Sequence, residues 1–125
     1  MKNVKKLLML AVAVNDMPKA KMFYSDQLGL EVASDYRQDD GHWWVALRPA
    51  DGGVTITLST FHENVKPGAM KLWFATSDIS ASHKELGDKG IKVSNVMDDL
   101  HGPGSGVKWF KFQDPDGNQI ILEQA

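Results

Sequence analysis

The feature that most constrains this chain is that it repeats itself. Val14-Asn15-Asp16-Met17 opens a helical stretch that ends in Leu28-Gly29-Leu30-Glu31-Val32, and Thr76-Ser77-Asp78-Ile79 opens another that ends in Lys89-Gly90-Ile91-Lys92-Val93. The step from Asp16 to Asp78 is longer by one than the step from Gly29 to Gly90, so a single residue of slippage falls inside the helix. A second echo comes in the same order: Asp51-Gly52-Gly53 before Val54-Thr55-Ile56-Thr57-Leu58, and Asp116-Gly117-Asn118 before Gln119-Ile120-Ile121-Leu122. Two echoes at nearly one offset predict two copies of one supersecondary unit.

Local chemistry gives the unit its content. Residues 7–14 form a short apolar run, read as a strand. Asp16 is a natural N-cap, and Pro18 sits in the first turn, where its missing N–H costs nothing. Ala20, Phe23, Tyr24 and Leu28 keep helical spacing through 17–28, and Gly29 supplies the left-handed stop. Strands are expected at 30–36, 43–48 and 54–60, with turns at Gly41 and Asp51-Gly52-Gly53. The second copy reads as strand 69–77, helix 79–88, and strands 91–97, 107–113 and 118–124, with a Gly- and Pro-rich loop from Asp98 to Gly106. Each half is βαβββ, which makes the fold class α+β. The chain is one domain, 1–125, made of modules 1–66 and 67–125. At 125 residues it is long enough to bury a real core.

Composition narrows the chemistry. A net charge of −2 with both signs dispersed leaves no basic stripe for phosphate backbones, so no nucleic-acid partner is expected. With zero cysteines there are no disulfides, thiolate sites or cysteine nucleophiles, which fits a reducing, cytoplasmic location. Lys5-Lys6 and the run Leu7 to Val14 imitate a signal peptide, but the run has its own counterpart in the second module and is read as the first strand. No run reaches the roughly 18 apolar residues of a membrane span, so no membrane partner is expected.

Asp16 to Val32, with its Asp, Phe-Tyr and Leu-Gly-Leu-Glu, resembles the first-helix signature of the vicinal oxygen chelate (glyoxalase/bleomycin-resistance/dioxygenase) superfamily. Phe112-Gln-Asp-Pro-Asp-Gly-Asn118 resembles the closing turn of the same superfamily. The resemblance implies that eight strands curl into an open cup, that the protein is a homodimer, and that the cup holds a ligand or a metal. In metal-dependent members of that superfamily, four inward positions carry His or Glu. Here they fall at Met9, seven residues before Asp16; Leu72, six before Asp78; Thr57; and Ile121. None offers the imidazole or carboxylate that zinc, nickel or iron takes, so no metal and no cofactor are expected.

Strand alternation then proposes the cup lining. With Leu8, Leu10, Val12 and Val14 toward the helix, Met9, Ala11 and Ala13 face the other way. If Val45 and Leu47 pack on the helix, Trp44, Ala46 and Arg48 point inward. If Phe110 and Phe112 are core, Trp109, Lys111 and Gln113 point inward. Phe74 shares the face of Leu72, and Glu123 shares that of Ile121. His101 stands beside Gly102-Pro103-Gly104, in a loop that the resemblance to the superfamily implies borders the ligand. His83 is read as a helix-surface residue and His62-Glu63 as solvated loop. The expected ligand-binding set is therefore Met9, Trp44, Arg48, Thr57, Leu72, Phe74, His101, Trp109, Ile121 and Glu123, with no assigned catalytic residue. Aromatic walls with a few polar groups are the usual make-up of a small-molecule site. The function expected is metal-free binding of an aromatic or antibiotic-like molecule, sequestered by stacking and apolar burial. The alternative is a lyase or dioxygenase-type enzyme acting through Glu123 or His101 at a non-standard site.

Overall fold

The computed structural model describes residues 2–39, 41–61 and 65–125. His62 and Glu63 lie outside the described residues. The chain divides into two compact units, residues 1–67 and 68–125. The fold is α+β, with one sheet and one helix in each unit.

In the first unit the strands are β1 (Met9–Ala13), β2 (Glu31–Asp39), β3 (His42–Arg48) and β4 (Thr55–Ser59). They lie in the order β1-β4-β3-β2, with β1 parallel to β4 and the other pairs antiparallel. Helix α1 (Met17–Met22) starts where the sequence says it should: the Asp16 carboxylate accepts the Lys19 N–H at 3.1 Å. It continues as a π-helical turn over Phe23–Gln27, in which the Leu28 N–H reaches back five residues to the Phe23 carbonyl at 2.8 Å. A π turn holds one more residue than an α turn does. It is here that the first module accommodates the residue by which it exceeds the second. The Ser25 hydroxyl donates to the Lys21 carbonyl at 2.6 Å, a side-chain bond of the kind that perturbs a helical ladder. Val12, Val14, Met17, Ala20, Phe23, Tyr24, Val45, Leu47, Ile56 and Leu58 are buried and form this unit's core. Leu8 and Leu10, expected toward the helix with Val12, are exposed instead, at the start of an edge strand.

The second unit contains β5 (Lys71–Thr76), α2 (Ile79–Asp88), β6 (Trp109–Gln113) and β7 (Gln119–Gln124). The sheet order is β5-β7-β6, with β5 parallel to β7. The Asp78 carboxylate caps α2 by accepting the Ala81 N–H at 3.0 Å. Leu72, Ile79, Leu86, Phe110, Phe112, Ile120 and Leu122 are buried. His83, expected on the helix surface, is half-buried. Its ring meets Phe110 edge-on at 5.0 Å, and its Nε2 lies 2.8 Å from the Ser94 carbonyl.

Seven strands are present among the described residues rather than the expected eight, because 91–97 does not form a ladder. It runs along the outer edge of β6 and touches it at two points. Met97 and Trp109 exchange both backbone hydrogen bonds, at 2.8 and 2.9 Å. At Ser94 the backbone N–H donates to the Lys111 carbonyl, but the Lys111 N–H donates to the serine hydroxyl, not to a backbone carbonyl. A side-chain oxygen has taken a rung of the ladder, as Ser and Asn side chains do when they compete with backbone partners. The polar Lys92, Ser94 and Asn95 give the segment little β preference to resist it.

The Asp-Pro-Asp-Gly-Asn turn is a buried polar knot. Asp114 accepts the N–H groups of Asp116 and Asn118 on one oxygen, at 2.9 and 2.8 Å, and the Asn118 side-chain amide on the other, at 2.7 Å. Asn118, fully buried, then accepts the Met70 N–H at 2.8 Å. Gly117 holds the turn at φ +92°. The knot ties the residue before β5 to the residue before β7, and so sets the register of their parallel pairing.

Candidate functional site

The ladders decide which side chains share a face. In the second sheet Trp73 pairs with Ile121 and Ile121 with Lys111, while Ala75 pairs with Glu123 and Glu123 with Trp109. Trp73, Ile121, Lys111, Glu123 and Trp109 therefore lie on one face. The opposite face carries Leu72, Phe74, Phe110, Phe112, Ile120 and Leu122 and meets α2 through the Phe110–His83 contact. Ile121, 3% exposed, forms a floor between strands that carry an indole each. Adjacent strands lie about 4.8 Å apart and alternate residues about 6.8 Å apart, so the two indoles root roughly 11–12 Å from each other on the diagonal.

This places Leu72 and Phe74 on the helix side of the sheet, contrary to their expected place in the lining. Phe74 borders the groove described below but alternates with Trp73. The offset that carries Asp16 to Asp78 also carries Met9 to Lys71 and Ala11 to Trp73. The ladders agree, since Ala11 pairs with Thr57 as Trp73 pairs with Ile121. Counting six residues back from Asp78 instead of seven moved the assignment by one, which in a strand turns it to the other face. Trp73 is thus the residue that the sequence reading missed, and the repeat itself carried the signal for it.

His101, Trp109, Ile121 and Glu123 do come together. The loop that brings His101 in is held at several points. Leu100 is buried, the Ser105 hydroxyl donates to the Leu100 carbonyl at 2.6 Å, and the Trp109 indole N–H donates to Asp99 at 3.0 Å. His101 takes φ +70°, alone among the described non-glycine residues. Its ring lies nearly parallel to that of Trp73, at 9° with centroids 6.4 Å apart, and its Nε2 is 3.9 Å from a Glu123 carboxylate oxygen. Trp73, Phe74, Ala75, His101 and Glu123 line an open groove of about 420 Å³. The Lys71 ammonium stands 5.1 Å from the centroid of the Trp73 ring.

In the first sheet, Met9, Thr57, Trp44 and Arg48 occupy the face away from the buried Val45, Leu47 and Ile56. The Thr57 hydroxyl donates to the Met9 sulfur at 3.1 Å. Trp44 packs against Tyr36, its cross-strand partner, with centroids 4.5 Å apart and the rings tilted by 32°, and meets Phe61 edge-on at 5.5 Å. Arg48 lies exposed at the end of β3. Trp43 takes the opposite side, donating to Asp35 at 2.7 Å with Arg37 over its ring at 4.3 Å.

The residues present do not fit a catalytic metal. A thioether at Met9, a hydroxyl at Thr57 already bonded to it, and a hydrocarbon at Ile121 are poor donors to a hard or borderline cation. On β5 the groove-side residues are Lys71 and Trp73, which supply no ligand either. Among the described residues, no three His, Cys, Asp or Glu side chains are grouped so as to hold a metal ion. No helix among them is long and apolar enough to cross a membrane. What the groove offers chemically is the Trp73 indole, the Phe74 ring, the His101 imidazole and the Glu123 carboxylate, with Trp109 on the same face of the sheet beyond them.

Comparison with known proteins agrees with this architecture. The chain is 26% identical to TnmS3, an antibiotic binding protein from Streptomyces sp. CB03234, whose crystal structure superposes with a TM-score of 0.86 over 99% of this chain and 98% of that one. A glyoxalase/bleomycin resistance protein from the same organism is 27% identical, with a TM-score of 0.79 over 95% and 100%. The Bacillus subtilis protein YwkD is 30% identical over 122 residues, 91% of each chain. A family model matches residues 6–122, and the chain belongs to the Glyoxalase/Bleomycin resistance protein/Dioxygenase superfamily.

Proposed function

We propose that this protein is a metal-free small-molecule-binding member of its superfamily that sequesters an aromatic, antibiotic-like ligand in the cytoplasm. The observation that carries the reading is the groove face of the second sheet, which Trp73, Ile121 and Trp109 share and where His101 lies parallel to Trp73. Sequestration needs only apolar burial and stacking, and aromatic faces supply both. The similarity to an antibiotic binding protein supports the same class of ligand.

The test follows tryptophan emission while bleomycin and planar aromatic compounds are titrated, beside measurement of bound Zn²⁺, Ni²⁺, Fe²⁺ and Mn²⁺ after chelator treatment. Saturable quenching that W73F or W109F removes, with no stoichiometric metal, is expected. One tightly bound metal per chain would overturn the reading.

One observation favours a second reading. The His101–Glu123 approach of 3.9 Å is an acid–base pair of the kind a lyase uses. Turnover of a bound compound that E123Q abolishes would establish it.

The protein acts as a homodimer in this reading. Edge strand β1 and the residues before it expose Leu7, Leu8, Met9 and Leu10, a run suited to meeting a second copy. Sedimentation should give a dimer that L8K shifts toward monomer.

A further inference from the structure

We infer that the ring pair Trp73–His101 is a clamp for one planar, nitrogen-bearing cationic ring, with the Glu123 carboxylate accepting the hydrogen bond from its N–H edge. The inference rests on the binding reading above and names the class of ligand.

Three observations meet at this point. The first is spacing. Carbon atoms of stacked groups approach to about 3.5 Å, so two rings holding a third between them stand about 7 Å apart. Trp73 and His101 are parallel within 9° with centroids 6.4 Å apart, so the pair must open by at least about half an ångström to admit a third ring. Both rings line the open groove.

The second is backbone conformation. A histidine at φ +70° costs about 1 kcal/mol or more relative to the ordinary regions. Nothing in the turn demands a histidine there: Gly102, Gly104 and Gly106 already supply the other left-handed positions of the loop. That conformation places the imidazole parallel to Trp73 and within 3.9 Å of the Glu123 carboxylate.

The third is the carboxylate. Glu123 sits on the central strand, paired with Trp109 on one side and Ala75 on the other, and it lines the groove that Trp73 and His101 define. Its side chain is 27% exposed, and its one ion-pair partner among the described residues is His101, at 3.9 Å, longer than a hydrogen bond. A partly buried carboxylate at the edge of a stack selects a ring that carries both positive charge and N–H donors. The Lys71 ammonium stands 5.1 Å from the Trp73 centroid, so the attraction for the ligand's charge comes from the Glu123 carboxylate and not from that indole.

The experiment uses three tricyclic probes of nearly equal shape: proflavine, a cation with amino groups at the ring edge; 9-anthracenemethanol, neutral; and anthracene-9-carboxylate, an anion. Affinities are measured by equilibrium dialysis for the wild type, E123Q and H101G. Gln is isosteric with Glu, and Gly adopts the left-handed backbone freely, so both variants keep the fold, and circular dichroism checks that they do. The expected result is proflavine binding at least about tenfold tighter than the neutral probe, the size of effect of one charge-assisted hydrogen bond. E123Q should erase that preference, and H101G should weaken all the probes that bind. Equal affinity for the three probes in the wild type, or a preference that survives in E123Q, overturns the cation assignment and leaves the binding reading standing. Unchanged affinity in H101G overturns the clamp. If no probe saturates the wild type, both readings fall together.

Discussion

Asn118→Ala tests whether the turn before β7 holds the second sheet together. Asn118 is fully buried and uses both ends of its amide. The oxygen accepts the Met70 N–H at 2.8 Å, and the nitrogen donates to the Asp114 carboxylate at 2.7 Å. Alanine removes both partners at once. It leaves a backbone N–H without its acceptor and a carboxylate oxygen short of one donor, while the Asn118 N–H bond to Asp114 survives. Leaving one buried partner unsatisfied costs about 1–3 kcal/mol, more when it is charged. Two such losses, softened by water reaching the half-buried Met70 end, come to about 3 kcal/mol. Against a total stability of roughly 5–15 kcal/mol this is a large share. It corresponds to a fall in melting temperature on the order of 10 °C. Urea unfolding followed by tryptophan emission measures it, with the midpoint falling and the slope unchanged. Because the knot fixes β5 beside β7, N118A should also weaken ligand binding at Trp73, which lies in that pairing. A change no larger than the roughly 0.5 kcal/mol typical of an uninvolved surface position would refute the reasoning. It would mean that backbone pairing alone, without the amide bridge, sets the register.

Gly68→Ala strikes the same turn from outside: Gly68 sits at φ +86°, and an added Cβ would lie 2.5 Å from the Asp116 carbonyl oxygen, so a loss of about 2 kcal/mol or more is expected in the same urea experiment. Asp35 accepts hydrogen bonds from the Lys21 ammonium at 2.6 Å and the Trp43 indole at 2.7 Å; the Lys21 bond first, then the indole, hold its carboxyl below the usual carboxylate range. A lowered value means the tie is complete above about pH 4 and is lost as pH falls through it, so D35N should flatten the acid limb of the stability curve and leave its neutral plateau nearly flat. His101→Gly removes the unfavourable backbone conformation and, with the ring exposed, should raise stability slightly, by about 0.5–1 kcal/mol, while ligand binding falls.

Much of this could be read from the sequence because two periodicities reinforced each other. The alternation of Val45 and Leu47 with Trp44, Ala46 and Arg48 settles the faces of β3, and that of Phe110 and Phe112 with Trp109 settles β6. Each strand has one strongly apolar face, and each central strand is flanked by partners that repeat the pattern. The eighth strand was not legible for a local reason: Ser94 offers its hydroxyl where a ladder needs a carbonyl, and nothing in the hydrophobic pattern records that exchange. The pose of His101 was beyond reach as well, since it depends on a left-handed backbone at a residue that normally avoids it.

A one-residue irregularity in a repeat has opposite consequences in the two kinds of element. In α1 the extra residue is absorbed by the π turn at Phe23–Gln27, and the helix still buries Ala20, Phe23 and Tyr24. A helix can do this because the side chains around the added residue rotate by a fraction of a turn. A strand has no such tolerance, because its side-chain period is two and a shift of one is a half-turn. When β5 is numbered from Asp78 by six, the lining acquires Leu72 and Phe74; when it is numbered by the offset between Asp16 and Asp78, it acquires Lys71 and Trp73. The two choices describe different sites, one built on Leu72 and Phe74 on the helix side of the sheet, the other on Lys71 and Trp73 beside His101 and Glu123. For a duplicated fold, the face of a strand is therefore better inferred from its counterpart in the other module, paired rung by rung, than from the distance to the helix cap.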